Sequence, residues 1–473
     1  VQGYVQKFWP LPIVKNFKLL TSGMNQVGAP TNPQGGIFVT SPDASPAMLG
    51  VGYIIGPKLA SIVFAGGVFG HMMLVPLFIF INGRLSGEAE WLTTAAAVWN
   101  SQVRPLAVGA MLVGAFYTLF KMRKSLATGI SRAFGDLKKI GKGGETTETN
   151  RLERDLPYSG TIIAIVALVI PIAILYYYFS HSIVGAIVSA VVMTIAGFLF
   201  AAVAGFLVGT IGSSNNPISG LTLSTLIVAA ILMVIVGVKG AFGIAAVLGV
   251  AAVVCCSSGV AGDIIQDLKA GHILGGTPKA MELGCIIGVI AAAFVMALVL
   301  NLLHEGYAEM GGIGGSLLPA PQAGLMAMLS QGIITGEMAW PLVIMGALFS
   351  VGLILIGAPS PMLIAVGMYL PLYTTFAIFI GGIIKWIADS LMKKQNLNKE
   401  KFENTGILIA SGLIAGQALM GIIIAATVVA GGGSAILPQI IPGGNPWLAI
   451  VIFALLAYIM IYTPLNAAKK NEE

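Results

Sequence analysis

Residues 183–211 read IVGAIVSAVVMTIAGFLFAAVAGFLVGTI, twenty-nine positions without a charged side chain. A helix of ~20 apolar residues crosses the hydrocarbon core of a bilayer, and this run is long enough to do so with some tilt. Two more uncharged blocks, Gly160–Phe179 and Ile286–Leu303, have the same character. Hydrophobic residues make up 57% of the 473, charged residues 9%, and the mean hydropathy is +0.92. A soluble domain of this length carries more charge and alternates apolar with polar faces. The fold class is therefore all-α, a polytopic integral membrane helix bundle. The 61 glycines and 23 prolines fit it too. Neighbouring helices re-satisfy broken backbone in lipid, and small residues allow close approach.

Charge orients the bundle. Lys121–Asp155 carries nine Lys/Arg against five acids, and Asp389–Glu403 carries four lysines against three. The positive-inside rule puts both loops (121–157 and 389–403) in the cytoplasm. Gly262–Lys279 and the closing Lys469-Lys470 read as inside, whereas His304–Ala320 and Gly431–Pro446, without Lys or Arg, read as outside. About twelve spans satisfy these assignments: 57–81, 103–120, 160–180, 183–211, 219–238, 241–258, 281–303, 319–338, 339–357, 361–388, 405–430 and 447–463. They form one transmembrane domain over 1–473, in the plasma (inner) membrane with both ends inside. Residues 1–46 hold neither a span nor a signal peptide and read as a cytoplasmic or re-entrant loop. The net charge of +6 reflects topology and not nucleic-acid binding. Cys255, Cys256 and Cys285 have no spacing for a metal or disulfide framework and read as small apolar packers. No resident cofactor or metal is expected.

An offset of 315 residues superimposes two segments. Ser45-Pro46 falls on Ser360-Pro361, Val51-Gly52 on Val366-Gly367, Phe64 on Phe379 and Gly66-Gly67 on Gly381-Gly382, seven identities in 23 positions. Pro57 has a near counterpart in Pro371. The charge pattern runs the first copy outward and the second inward. Opposed Gly/Pro-interrupted copies predict an inverted repeat whose broken helices, Ser45–Lys58 and Pro359–Pro371, face each other across a central cavity.

Three stretches are too polar or irregular for lipid. Gly212-Ser-Ser-Asn-Asn-Pro-Ile-Ser-Gly220 offers amides and hydroxyls and cannot continue a helix through Pro217, so it is either an unwound binding segment or a solvated turn. In Gly262-Asp-Ile-Ile-Gln-Asp-Leu-Lys-Ala-Gly271, a helix would put Asp263, Gln266 and Asp267 on one face, near Lys269. Such a cluster relays protons or holds a cation; the plainer reading is a cytoplasmic loop. In Ser411–Gly421 the glycines suit helix packing and leave Gln417 as the strongly polar side chain.

Together these stretches, with Ser45-Pro-Ala-Met-Leu-Gly-Val-Gly-Tyr-Ile-Ile-Gly-Pro-Lys58, resemble the oligopeptide transporter family, which includes the yellow-stripe-like metal-chelate carriers. The likeness runs from Ser41 to Gly421 and points to the prokaryotic branch. It implies proton-driven secondary transport of short peptides or peptide-like molecules, with transport of metal chelates as the alternative. The implied partners are that substrate, protons and the lipid bilayer. Substrate contacts are expected at Ser45, Tyr53, Asn215, Asn216, Ser219, Ser360 and Gln417. A cytoplasmic gate or proton path is expected at Asp263, Gln266, Asp267 and Lys269, with Glu337 as a further acid. Members of the family have about sixteen spans, so about four are expected to precede Val1. Gln417 stands where many relatives carry Glu.

The remaining ionisable residues are weaker candidates. His71, deep in an apolar run, is either protonated during transport or packed; Lys58 and Lys385 are expected to snorkel from span ends. A potassium-channel filter is a poor reading of Gly50-Val-Gly-Tyr53, which occurs once and lacks the preceding Thr. An enzyme is excluded as a working hypothesis, because no His-Glu-x-x-His, Gly-x-Ser-x-Gly or P-loop pattern occurs.

Overall fold

A computed structural model describes residues 14–20, 23–24, 30–31, 34–39, 42, 45–82, 91–124, 127–128, 131, 151–211, 216, 218–308, 311–315, 318, 320–431 and 446–469. The chain divides into two compact units. The first comprises Val1–Gly114, Val299–Pro321 and Ala339–Glu473; the second comprises Ala115–Leu298 and Gln322–Met338.

In the first unit the chain begins with four short strands, β1 (Val14–Leu20), β2 (Gly23–Met24), β3 (Pro30–Thr31) and β4 (Gln34–Val39). They pair antiparallel, β2 with β3 inside β1 with β4. The region 1–46, expected as a cytoplasmic or re-entrant loop, carries these nested strand pairs. The helices of this unit are α1 (Pro46–Val68), α2 (Val75–Asn82), α3 (Trp91–Val98) and α4, which runs from Arg104 to Lys121 and ends in the second unit. A π-helical turn, Phe69–Leu74, joins α1 to α2, and another, Trp99–Val103, joins α3 to α4. The second unit holds α5 (Tyr158–Ser180), α6 (Ile183–Ile211), α7 (Ile218–Val236), α8 (Gly240–Leu274), most of α9 (Pro278–Gly306) and α10 (Pro321–Thr335). The first unit resumes with α11 (Trp340–Leu355), α12 (Pro361–Tyr369), α13 (Leu372–Lys394), α14 (Lys399–Ala430) and α15 (Pro446–Lys469).

Among the described residues, ten helical stretches are long and apolar enough to cross a membrane. All twelve expected elements exist, but α10 and α11 have only 15 and 16 residues. The expected span 361–388 is two helices meeting at Leu370-Pro371. The second unit exposes apolar side chains, as lipid requires: Phe294 and Leu298 are 78 and 73% exposed.

The repeat is legible as packing. α1 breaks at Gly56, whose φ of 80° and ψ of 172° suit a residue without a Cβ, directly before Pro57. The second copy breaks at Leu370, φ −75° and ψ 149°, directly before Pro371. In each case proline forces its predecessor out of the helical region. The two broken helices lie antiparallel, backbone against backbone. A methyl group at Gly52 would overlap the Ile378 carbonyl oxygen, and one at Gly367 would overlap that of Val63. Likewise Gly66 abuts Ile364 and Gly381 abuts Leu49. Adding 315 to one member of each contact and subtracting it from the other generates its mate. Phe64 and Phe379, equivalent to each other, stack with centroids 4.6 Å apart and planes 7° apart. That is the geometry of a pseudo-two-fold axis through their rings. Inverted copies related by such an axis are therefore present in the first unit.

Candidate functional site

The site of the first unit is built at these two breaks. α1 starts at Ser45, fully buried, whose Oγ accepts from the Met48 N–H at 3.3 Å. Ser45 Oγ in turn donates to Gln417 Oε1 at 2.7 Å, and the Ala47 N–H donates to the same oxygen at 2.6 Å. Gln417, projecting from α14, thus serves as a second cap for α1. Two of the residues expected to contact substrate are thereby brought together across 372 positions. Ser360 caps α12 with its backbone alone, so among the described residues its hydroxyl is uncommitted. Tyr53 is 1% exposed and lies against Gly406 in the core of this unit, its hydroxyl without a partner among the described residues. Above its ring sits Lys385 Nζ, 5.2 Å from the centroid, 4.8 Å from that of Phe402 and 2.8 Å from Asp389 Oδ1. Lys385, its side chain 15% exposed, is held by an acid one turn on and by two aromatic faces. Lys58 is exposed.

Gly412 and Gly416 correct another expectation. A Cβ at either would meet nothing within 4 Å among the described residues, so neither packs closely on any of them.

In the second unit the expected gate residues sit on helix, not loop. α8 continues through the Gly262–Gly271 motif to Leu274 and ends on Gly275 in the left-handed conformation. The predicted boundary at 258 fell at the last apolar run, but the helix persists because Asp, Gln and Lys tolerate helix wherever water reaches them. Asp263, Gln266, Asp267 and Lys269 are all exposed there. Asp267 Oδ2 accepts from Cys285 Sγ at 3.9 Å. Gly262 leaves room for Asn216, whose Nδ2 donates to the Ser258 carbonyl at 3.3 Å. The Asn216 Oδ1 and Ser258 hydroxyl are buried without partners among the described residues, which marks a polar spot inside this unit. Ser219, half-buried, stands on the first turn of α7; Asn215 lies outside the described residues. Glu337 is exposed between α10 and α11, its N–H donating to Thr335 Oγ1 at 3.2 Å.

The sequence profile of the OPT oligopeptide transporter proteins matches residues 5–428. The chain belongs to this family. A Haemophilus influenzae protein provisionally named an oligopeptide transporter is 30% identical over 467 residues, 89% of this chain and 73% of that protein. Two plant proteins, provisionally named metal-nicotianamine transporters, are similar over less. YSL12 of Oryza sativa is 26% identical over 34% of this chain, and YSL5 of Arabidopsis thaliana is 25% identical over 36%. The match spans about a quarter of each plant relative (23 and 25%). As a member of the oligopeptide transporter family, the chain is a multi-pass membrane transporter and not an enzyme.

One cluster in this transporter escaped the sequence reading. Arg104 opens α4, ten residues into the continuous apolar stretch Thr94–Lys121. The expected span began at 103, which put Arg104 at a membrane surface and hid it. Its Nη2 donates to the Tyr369 hydroxyl at 2.5 Å and its Nη1 to Asn100 Oδ1 at 3.0 Å. The guanidinium carbon lies 4.3 Å from the Tyr369 ring centroid and 5.3 Å from that of Trp99. Trp99 Nε1 donates to the Met368 carbonyl, and His71 Nε2 donates to that of Leu370, each at 3.2 Å. The His71 ring also packs against Trp99, centroids 5.0 Å and planes 32° apart. Both π-helical turns thus cap carbonyls at the second break, and such turns are frequent at functional sites. His71 must carry a proton on Nε2 to donate to that carbonyl.

Outside the membrane-spanning helices, residues 151–156 strap onto the α8–α9 connection. Arg151 Nη2 donates to the Gly275 carbonyl at 2.7 Å, the Lys279 N–H donates to Arg154 O at 2.9 Å, and the Leu156 N–H donates to Glu282 Oε2 at 3.0 Å. Burial raises the Asp155 carboxyl above its usual range, and Glu282 beside it raises it further. For a carboxyl raised on docking, the associated stability is full below its free value and declines as pH rises through the docked one. Asp155→Asn is therefore expected to increase protection of the Leu156 amide near neutral pH, read by hydrogen exchange. Unchanged protection from pH 5 to 7 would remove the carboxyl repulsion.

Proposed function

We propose that the chain is a proton-coupled secondary transporter of oligopeptides or peptide-like molecules in the plasma (inner) membrane, working by alternating access with both ends inside. The observation that carries this reading is the inverted pair of broken helices. Half-helices that end inside a membrane leave backbone groups and helix dipoles available to a substrate. Two opposed copies give a transporter two nearly equivalent states. In the first unit Ser360 and Gln417, both half-buried, are the substrate contacts, and the buried Ser45 and Tyr53 act from behind them. In the second unit Asn215, Asn216 and Ser219 supply further polar contacts. Asp263, Gln266, Asp267 and Lys269 form the gate or proton path, with Glu337 a further acid. The same machinery suits a metal chelate bearing peptide-like carboxylates and amines, and the likeness to the plant proteins favours that second reading.

The test is uptake into proteoliposomes from a mixture of labelled di- to pentapeptides, with and without an inward proton gradient. Asp267→Asn is expected to lower gradient-driven uptake by at least about tenfold, the effect typical of a lost proton-transfer group, with the melting temperature unchanged. Uptake at the native level in that variant would remove Asp267 from the mechanism. Competition by ferric or nickel chelates, without competition by peptides, would select the second reading.

A further inference from the structure

We propose that Arg104 is the anchor for a carboxylate of the transported molecule, gripped by its guanidinium beside Tyr369 at the second helix break. This rests on the transport reading and gives its substrate a chemical class, a carboxylate-bearing anion.

The first ground is a cation with no ion-pair partner among the described residues. Arginine remains protonated in proteins, and inside a membrane such a residue pairs, lines a wet path or binds a ligand. Among the described residues the ion pairs are Lys385–Asp389 and Lys399–Glu403, and neither includes Arg104. Its two hydrogen-bond acceptors are neutral: a phenol and an amide. These use two of the five guanidinium N–H groups, and buried Nε has no partner among the described residues. One hydrogen on each Nη is left, the pair that an end-on carboxylate takes in a bidentate grip.

The second ground is how the guanidinium is held. Two aromatic faces and Asn100 fix its plane, and the rings are themselves tied to the Met368 and Leu370 carbonyls through Trp99 and His71. A cation needed only for surface charge has no use for such support, whereas a recognition site requires it. The third ground is the helix that follows. α13 begins at Leu372, three residues beyond Tyr369, so the positive end of its dipole belongs to the same break. α12 ends at Tyr369 and brings the negative end of its own dipole to this break, where Trp99 and His71 cap the Met368 and Leu370 carbonyls. The guanidinium, the phenol hydroxyl and the α13 N-terminus are the groups that favour an anion.

The carboxylate comes either from the C-terminus of a peptide or from a chelator, and the experiment separates them. Trialanine, trialanine amide, citrate and ferric citrate are titrated into the purified full chain by calorimetry and by tryptophan fluorescence. Trialanine uptake into proteoliposomes is measured in parallel. The amide is expected to bind at least about tenfold more weakly than the acid, the weight of one charge-assisted contact. In Arg104→Gln that ratio should fall to about one. In Arg104→Lys, which keeps the charge and loses the planar fork, it should fall severalfold. Trp99→Phe should abolish the ligand-induced fluorescence change while calorimetric binding persists. Ferric citrate binding more tightly than trialanine assigns the site to chelates, and the reverse order assigns it to peptides; either supports the anchor. Equal binding of acid and amide by the native chain, no binding of any probe, or an acid-to-amide ratio preserved in either Arg104 variant would overturn it. Should Arg104→Gln fail to fold, the lysine variant decides. Arg104-dependent binding without uptake keeps the anchor and removes the transport reading. Uptake indifferent to the amide does the opposite.

Discussion

Gly52→Ala and Gly367→Ala are each expected to prevent stable folding, and to do so to the same extent. At either position the added methyl overlaps a backbone carbonyl oxygen, that of Ile378 or of Val63. A flexible side chain would turn aside, but a carbonyl fixed in a helix can move only with its helix. The helices must then separate along the whole seam that also holds Gly66, Gly381 and the Phe64–Phe379 stack. Overpacking a well-packed core costs ~1–3 kcal/mol, and more where backbone must shift. We expect the upper end or beyond, a large share of the stability of a typical domain. Gly412→Ala and Gly416→Ala provide the contrast. Nothing lies within 4 Å of the new methyl in either, and alanine favours helix over glycine by ~0.5–1 kcal/mol. Melting in detergent and monodispersity should therefore collapse for the first pair and hold or improve for the second. If all four variants behaved alike, the close seam would not exist as described.

The second large effect is expected at Gln417. Gln417→Leu keeps the bulk but removes the oxygen that accepts from Ser45 Oγ and the Ala47 N–H. Ser45 is fully buried, and α1 then starts with two donors unsatisfied. Each stranded donor costs ~1–3 kcal/mol, so a loss of about 2–6 kcal/mol is expected. Gln417→Glu should behave differently. A carboxylate accepts both hydrogen bonds and sits at the positive end of the helix dipole, so the fold should be kept or strengthened near neutral pH. That gain depends on the ionised carboxylate and should shrink on acidification, a dependence that the neutral amide does not impose. Thermal melting of the three proteins at pH 4 and pH 7 measures this. A glutamate variant with no pH dependence beyond that of the native chain would separate Gln417 from the α1 cap.

These effects also show where the sequence was transparent. Bilayer crossing follows from composition, because an uncharged run such as 183–211 has few alternatives. The inverted repeat was readable because close backbone contact tolerates only glycine, and glycine therefore recurs at 52, 66, 367 and 381. Breaks at Gly56-Pro57 and Leu370-Pro371 follow from the restriction that proline places on its predecessor. What the sequence concealed is whatever depends on partners in three dimensions. Lys385 and Asp389 are four residues apart, yet only the fold shows the Tyr53 and Phe402 rings that make an interior position tolerable. Gly412 and Gly416 have the spacing of a packing motif and pack closely on none of the described residues. Arg104 was passed over through a boundary drawn nine residues late. Hydropathy falls around Asn100, Ser101, Gln102 and Arg104, and it does so because a polar cluster interrupts the span, not because the span has ended.

Accumulation of trialanine inside proteoliposomes tests the account most directly. With an inward proton gradient, the native chain should concentrate the peptide above its external level, and a protonophore should release it to equality. Saturable uptake that stops at equality whatever the gradient, or a current that rises linearly with voltage, would contradict a proton-driven carrier.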